Sequence, residues 1–338
     1  MSHISLAVKY RPITFDEVVG QEPIKIILRQ QLESKTTKNA YLFCGGAGTG
    51  KTTCARIFAN EINQHRGNPI EIDAASNSGV DDVREIIQQA RTKSMTSEYK
   101  VFIVDEVHSI SSAGWQAFLK LIEEPPAKSV FIFCTTDPQK IPKTILSRVQ
   151  RYDFQRIPQE TIVGRLLYIL EKENIDTYEP EAIEYLAKIA DGGMRDAITL
   201  MDKCISYSPD LTVENVVKAL GVVDYEVMID LTRSLILDKD IEQIISIIEN
   251  VHRAGKDLKQ FIKSFVGFIL DLNKYICLKS FEYLEMPSLY ESSILPLIQE
   301  PDKCIQLLDT VIKLQADIKW ETSPKAVITA TLILECVK

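Results

Sequence analysis

The run Gly45-Gly46-Ala47-Gly48-Thr49-Gly50-Lys51-Thr52 carries the clearest chemistry in the chain. It fits G-x-x-x-x-G-K-[ST], a spacing in which glycines let the backbone curl around phosphate groups with its N–H groups pointing inward. Lys51 then reaches the β and γ phosphates of a nucleoside triphosphate such as ATP, and the Thr52 hydroxyl offers an oxygen to Mg²⁺, with Thr53 just behind it. A glycine turn that matches by accident is the competing reading; an apolar strand-like run before the loop and a helical pattern after it argue against that.

Two carboxylates agree with this loop. Val101-Phe102-Ile103-Val104 ends in Asp105-Glu106, at the carboxyl end of a buried strand, where open α/β sheets bind ligands. Asp105 is the Mg²⁺-side carboxylate in this reading, and Glu106 orients and deprotonates an attacking water; the plainer alternative is a cap on the next helix. Thr135-Thr136-Asp137 closes the following strand, where the Thr136 hydroxyl can bond the water or the γ-phosphate, or simply shape a turn.

Arg148 follows Leu146-Ser147 on a short segment before the last strand, placed either to meet a neighbouring subunit's nucleotide or to be a solvated side chain. Arg195 lies in Gly192-Gly193-Met194-Arg195-Asp196, which opens a helix whose N-terminus faces an anion or merely begins after a glycine break.

These residues need a scaffold. The runs Tyr41–Cys44, Ile70–Asp73, Val101–Asp105, Val130–Thr136 and Arg151–Phe154 alternate with helical patterns and predict five strands of a parallel α/β sheet, buried on both faces. Beyond about residue 156 the strand signal fades, and Leu258, Ile262, Phe265, Ile269 and Leu307, Val311, Leu314, Ile318 follow helical spacing. The expected fold is an α/β P-loop nucleotide-binding domain over 1–156, a small helical lid over 157–222 and an all-α domain over 223–338, with a break near Gly221 to Asp224.

Composition narrows the field. A formal charge of −8 argues against coating nucleic acid by bulk attraction, so any DNA contact must be local. Candidate points are the helix starts after Asn77–Gly79 and at Ser109–Ser112, where free N–H groups can meet phosphates unless those residues are ordinary caps. No apolar run approaches the roughly 20 residues of a membrane helix, and no secretory signal opens the chain, which predicts a cytoplasmic protein without membrane contact. The cysteines Cys44, Cys54, Cys134, Cys204, Cys277, Cys304 and Cys336 are far apart, with no metal-ligand spacing, and read as reduced, mostly buried thiols.

The order of motifs resembles that of AAA+ clamp-loader ATPases, particularly the bacterial DNA polymerase III gamma/tau group. Tyr10-Arg11-Pro12, FDEVVGQ, the P-loop, EIDAASNSGVDDVR, VFIVDEVH, FLKLIEEPP, TTDPQKIPKTILSR and GGMRDA carry the likeness over about residues 6–222. It implies that Arg148 is an arginine finger acting in trans, that Thr136 and Arg195 are nucleotide sensors, and that Val8, Tyr10, Arg11, Pro12, Val18 and Val19 line the adenine pocket. It also implies a collar that assembles with other subunits, as a pentamer, to load a sliding clamp onto primer-template DNA without base specificity. Ala59 to Pro69 lacks the four cysteines usual in that group, so no structural zinc is expected, and with Lys338 directly after the collar, the polymerase and helicase contacts of longer relatives are not expected. The rival readings are a non-hydrolysing scaffold subunit of such an assembly and a branch-migration motor.

Overall fold

The apolar runs of the first half become five strands: β1 Ala40–Cys44, β2 Ile70–Asp73, β3 Lys100–Asp105, β4 Ser129–Thr135 and β5 Gln150–Asp153. The structure, a computed structural model, describes residues 4–92, 94, 96–220 and 225–337. Every pairing is parallel, in the spatial order β2-β3-β4-β1-β5. Cys44 stands opposite Thr135 and Asp73 opposite Asp105, so the carboxyl ends of the strands finish level with one another along a single edge.

Helices α1 (Leu6–Lys9) and α2 (Glu22–Glu33) precede β1, and α3 (Lys51–Ile62) follows it. Between the later strands lie α4 (Val80–Arg91), α5 (Ser112–Glu123) and the short α6 (Lys143–Leu146). Because successive strand side chains point to opposite faces, one set, including Leu42, Phe102, Val104, Phe131 and Phe133, packs on Val83, Ile86, Trp115 and Phe118 of α4 and α5. The other set, Tyr41, Phe43, Ile103 and Ile132 among them, packs on Ile24, Leu28, Ile57 and Phe58 of α2 and α3.

Burial on both faces holds for β1, β3 and β4 but not for the outer strands. Glu71 and Asp73 of β2, and Arg151 and Asp153 of β5, are exposed. Each of these strands has a neighbour on one side only, and their charged positions turn to solvent, which also discourages pairing with another chain.

Three further helices, α7 (Gln159–Glu173), α8 (Pro180–Ile189) and α9 (Met194–Tyr207), complete the first of two compact units, Met1–Ser206. Helix α7 packs on α8, with Ile162, Leu166 and Leu170 buried on one and Ala182, Ile183 and Leu186 on the other.

The second unit, Tyr207–Lys338, is helical: α10 (Val213–Leu220), α11 (Tyr225–Arg233), α12 (Ile241–Arg253), α13 (Leu258–Leu278), α14 (Glu291–Ile294), α15 (Pro301–Asp317) and α16 (Pro324–Val337). Helix α13 runs against α15, burying Ile262, Phe265, Ile269 and Leu272 against Leu307, Val311 and Leu314. Asp271 is buried on α13 and its carboxylate accepts from the backbone N–H groups of Glu285 and Met286, at 2.6 and 2.8 Å, which ties the loop after the helix to the core. The break expected near Gly221 to Asp224 lies outside the described residues. Among the described residues no helix is long and apolar enough to cross a membrane.

Candidate functional site

The phosphate-type loop leaves the carboxyl end of β1 and runs into α3. Three of its glycines take backbone angles that side chains resist: Gly45 (φ +150°), Gly48 (φ +68°) and Gly50 (φ +100°). At Gly45 a Cβ would fall 2.5 Å from the Phe154 carbonyl oxygen, and at Gly48 it would fall 2.9 Å from Gly193 Cα. The loop is therefore wedged between β5 and the start of α9, whose Met194 N–H donates to the Gly48 carbonyl at 3.0 Å. Gln21 adds a third tie, donating to the carbonyls of Gln155 (2.7 Å) and Thr49 (3.3 Å).

Lys51 is 7% exposed and its ammonium donates to the carbonyls of Gly45 and Gly46 at 2.8 and 2.7 Å. Burial pulls its pKa below the ordinary lysine value, and Cys134, Asp105 and Glu106 pull it back up. A bound polyanion would reinforce the charged form.

Thr52 donates its hydroxyl proton to Asp105 Oδ2 at 2.7 Å, so the two oxygens assigned to Mg²⁺ from sequence meet across β1 and β3's carboxyl ends. Hard oxygen donors of this kind suit Mg²⁺. Among the described residues no three His, Cys, Asp or Glu side chains gather as a metal-ligand set. All seven cysteines are free, and only Cys277 is exposed.

Next along the chain, Glu106 sits at φ +49°, a left-handed conformation that a glutamate adopts at a cost of about 1–3 kcal/mol. The tight turn Val107–Ser109 follows at once, held by the fully buried Val107. Glu106 Oε2 accepts from the Thr136 hydroxyl at 3.2 Å and stands 3.2 Å from His108 Nδ1. From sequence Thr136 is expected at the water or the γ-phosphate, not on Glu106; His108 is not singled out there, its one signal being its place two residues beyond a carboxylate at a strand end.

A cleft of about 340 Å³ opens beside the loop, lined by Gly48 through Thr53, Asp105, Tyr10, Arg11, Pro12, Val18, Val19 and Arg195. Gly45, Gly46 and Ala47 form the base of the loop without lining the cleft. Val8 does not line it either: it is 60% exposed, and its neighbour Ala7 takes the place. On the single turn of α1, Ala7 and Tyr10 lie three apart on one face, and Val8 falls off that face. Arg56, Ile157, Arg165, Met194 and Ile198 also line the cleft, none of them singled out by sequence.

The cleft is strongly positive. Burial, and after it Arg56 and Arg195, push the Arg11 guanidinium below its usual range. Arg56 has one carboxylate partner, Glu71 at 2.5 Å. Crowded cations around a loop of inward N–H groups fit a polyphosphate. Tyr10, at the rim, donates to the Glu173 carboxylate, and burial together with that contact pushes its pKa up to about 12.

Arg148 does not line the cleft. Its Nε donates to Glu123 at 2.8 Å and its Nη1 to the Thr144 carbonyl at 2.8 Å, which holds the guanidinium on the surface at the end of α6. Of the segments considered for DNA, Ser111 caps α5 by accepting from the Gly114 N–H, and Asp82 accepts from the Gly79 N–H at the start of α4.

Sheet order, phosphate loop and paired strand-end carboxylates define a P-loop nucleotide-binding protein of the AAA+ class. The RuvB Holliday junction branch migration motor of Thermotoga maritima shares the fold, with a TM-score of 0.53 over 77% of this chain and 90% of that one, at 18% identity. Residues 70–158 match the family described as DNA polymerase III, delta subunit, and residues 161–210 match the DNA polymerase III clamp loader subunit ATPase lid domain. The DNA polymerase III subunit tau of Bacillus subtilis is 36% identical over 99% of this chain and 64% of its own length. The tau/gamma subunit of Haemophilus influenzae is 38% identical over 70% of this chain and 37% of its own length. The chain is thus similar to relatives named DNA polymerase III gamma/tau subunits over 70 to 99% of its length, and it carries a match to the clamp loader subunit lid family. It spans between about a third and two thirds of the length of these relatives.

Proposed function

We propose that this chain is an ATP-hydrolysing subunit of a clamp loader, which uses ATP to open a sliding clamp and place it on primer-template DNA. The observation that carries the reading is the arrangement at the strand ends: Thr52 bonded to Asp105, and Glu106 bonded to Thr136, beside a loop that presents Lys51.

In this mechanism Lys51 leaves its two carbonyl partners to meet the β and γ phosphate oxygens. The Thr52 hydroxyl and the Asp105 carboxylate would hold Mg²⁺, which would supply neutralising charge to the phosphates. Glu106 takes a proton from a water whose oxygen attacks the γ phosphorus; the bond to the leaving oxygen of ADP breaks, and phosphate departs. Thr136 orients Glu106 and senses the γ-phosphate, Arg195 meets the phosphates from α9, and the apolar rim of Tyr10, Pro12, Val18 and Val19 receives the adenine.

Arg148, held at the surface, is lent to a neighbouring subunit's nucleotide. That arrangement requires head-to-tail contacts between subunits, which form an open spiral of five where the rotation does not close. The organisation is three-part, 1–156, 157–222 and 223–338, with the last segment as the collar, and the protein works in the cytoplasm. Contact with DNA is made through phosphates near Asn77–Gly79 and Ser109–Ser112 and reads no sequence.

ATP turnover measured with and without partner subunits, clamp and primed DNA tests this. Stimulation by the full set is expected, and Lys51→Ala should abolish it. A Lys51→Ala chain with ordinary turnover would end the enzyme reading, and an assembly indifferent to this chain's Lys51 would leave it a scaffold.

A further inference from the structure

Glu106 is gripped on one oxygen only. Its Oε2 takes the Thr136 hydroxyl at 3.2 Å and faces His108 Nδ1 at 3.2 Å, whereas Oε1 has no hydrogen-bond partner among the described residues. A carboxylate anchored in this way has its second oxygen oriented and available to accept a proton.

The position of His108 is built in. The left-handed Glu106 is followed by the turn in which the Ser109 N–H donates to the Glu106 carbonyl at 2.9 Å, and this folds the imidazole back over the carboxylate. Val107 is fully buried beneath the turn, which packs against β4. There Nδ1 also lies 3.3 Å from the hydroxyl of Thr135, a residue with no exposed surface. That hydroxyl oxygen accepts from the Asp137 N–H at 3.0 Å, and with the hydrogen on Nδ1 the imidazole N–H lies between Thr135 Oγ1 and Glu106 Oε2, both able to accept it. The imidazole therefore links the end of β4, through Thr135, to the carboxylate at the end of β3.

The geometry points to His108 as a positioning residue for ATP hydrolysis: by donating from Nδ1 to Glu106 Oε2, it holds the carboxylate so that Oε1 faces the attacking water. This rests on the ATPase reading above. His108 touches neither nucleotide nor metal site in this scheme, so its loss acts on the chemical step and leaves binding alone.

The test uses the chain assembled with its partner subunits, stimulated by clamp and primed DNA. His108→Leu removes the donor at similar size, and His108→Asn returns an N–H near the place of Nδ1. For His108→Leu, kcat should fall roughly 10- to 100-fold, the effect of losing one hydrogen bond to a charged group, with KM and equilibrium ATP affinity within about twofold of the parent. His108→Asn should recover most of kcat. Retained turnover in His108→Leu, equal loss in both variants, or a parallel loss of ATP affinity would each overturn the assignment. If His108→Leu does not fold, as judged by the emission of buried Trp115, His108→Ala takes its place under the same criteria. Glu106→Gln serves as the control: full turnover in that variant ends the ATPase reading and the role of His108 with it. Turnover that needs Glu106 but ignores His108 ends the role of His108 alone.

Discussion

Gly45→Ala and Gly50→Ala separate two costs that the phosphate loop combines. Both positions have φ values outside the range of L side chains, +150° and +100°, so either alanine should cost about 1–3 kcal/mol in backbone strain. At Gly50 an added Cβ meets nothing within 4 Å, and strain is the whole effect. At Gly45 the Cβ falls 2.5 Å from the Phe154 carbonyl oxygen and 2.9 Å from Phe154 Cβ. Phe154 has little room to yield, because its own N–H donates to the Cys44 carbonyl at 2.7 Å. Forcing β5 aside adds roughly 1–3 kcal/mol, for a total of about 2–6. Urea unfolding followed by Trp115 fluorescence reads this difference: Trp115 is 4% exposed in the nucleotide-binding unit, and Trp320, at 84%, should change little. Gly45→Ala should unfold at lower urea than Gly50→Ala, by at least about 1 kcal/mol. Equal stabilities, or the reverse order, would refute the claim that the loop is wedged against β5.

Arg148→Ala should leave folding within about 1 kcal/mol, since its contact with Glu123 is exposed, and should leave ATP affinity unchanged. In the assembly, stimulated turnover should fall by about 10³-fold or more; equal loss of affinity and turnover would place Arg148 in its own subunit's pocket instead. Asp271→Ala should destabilise the helical unit by about 2–4 kcal/mol in chemical denaturation, because the N–H groups of Glu285 and Met286 lose their acceptor. Thiol titration of the folded protein should report Cys277 alone at first. Burial pushes Cys44, Cys204 and Cys304 up to about 11 and Cys54 up to about 12, so these stay protonated and unreactive until unfolding. Rapid reaction of two or more thiols would contradict the burial.

Local signals in the chain were enough to locate the strands, the phosphate loop and the carboxylates at the end of β3, because glycine angles and apolar runs act within a few residues. Contacts between strand ends were not legible in the same way. Thr52 and Asp105 are 53 residues apart and meet only because β3 and β1 flank β4 in the sheet order. His108 reads as an ordinary turn residue until β4 brings Thr135 to it, 27 residues along the chain. Edge exposure at β2, by contrast, is visible in sequence, where Ile70 and Ile72 alternate with Glu71 and Asp73 as in a strand buried on one face only. Around the cleft, Arg56 and Arg165 lie on helices whose facing side is set by packing, and helical spacing alone does not say which turn meets a ligand.

The account depends most on Glu106 being the group that accepts the proton of the attacking water. Phosphate release from the complete assembly carrying Glu106→Gln, with bound ATP quantified on the same sample, measures this directly. The account predicts ATP bound as in the parent and release slowed by about 10²-fold or more. Release at the parental rate from a nucleotide-loaded Glu106→Gln assembly would contradict it.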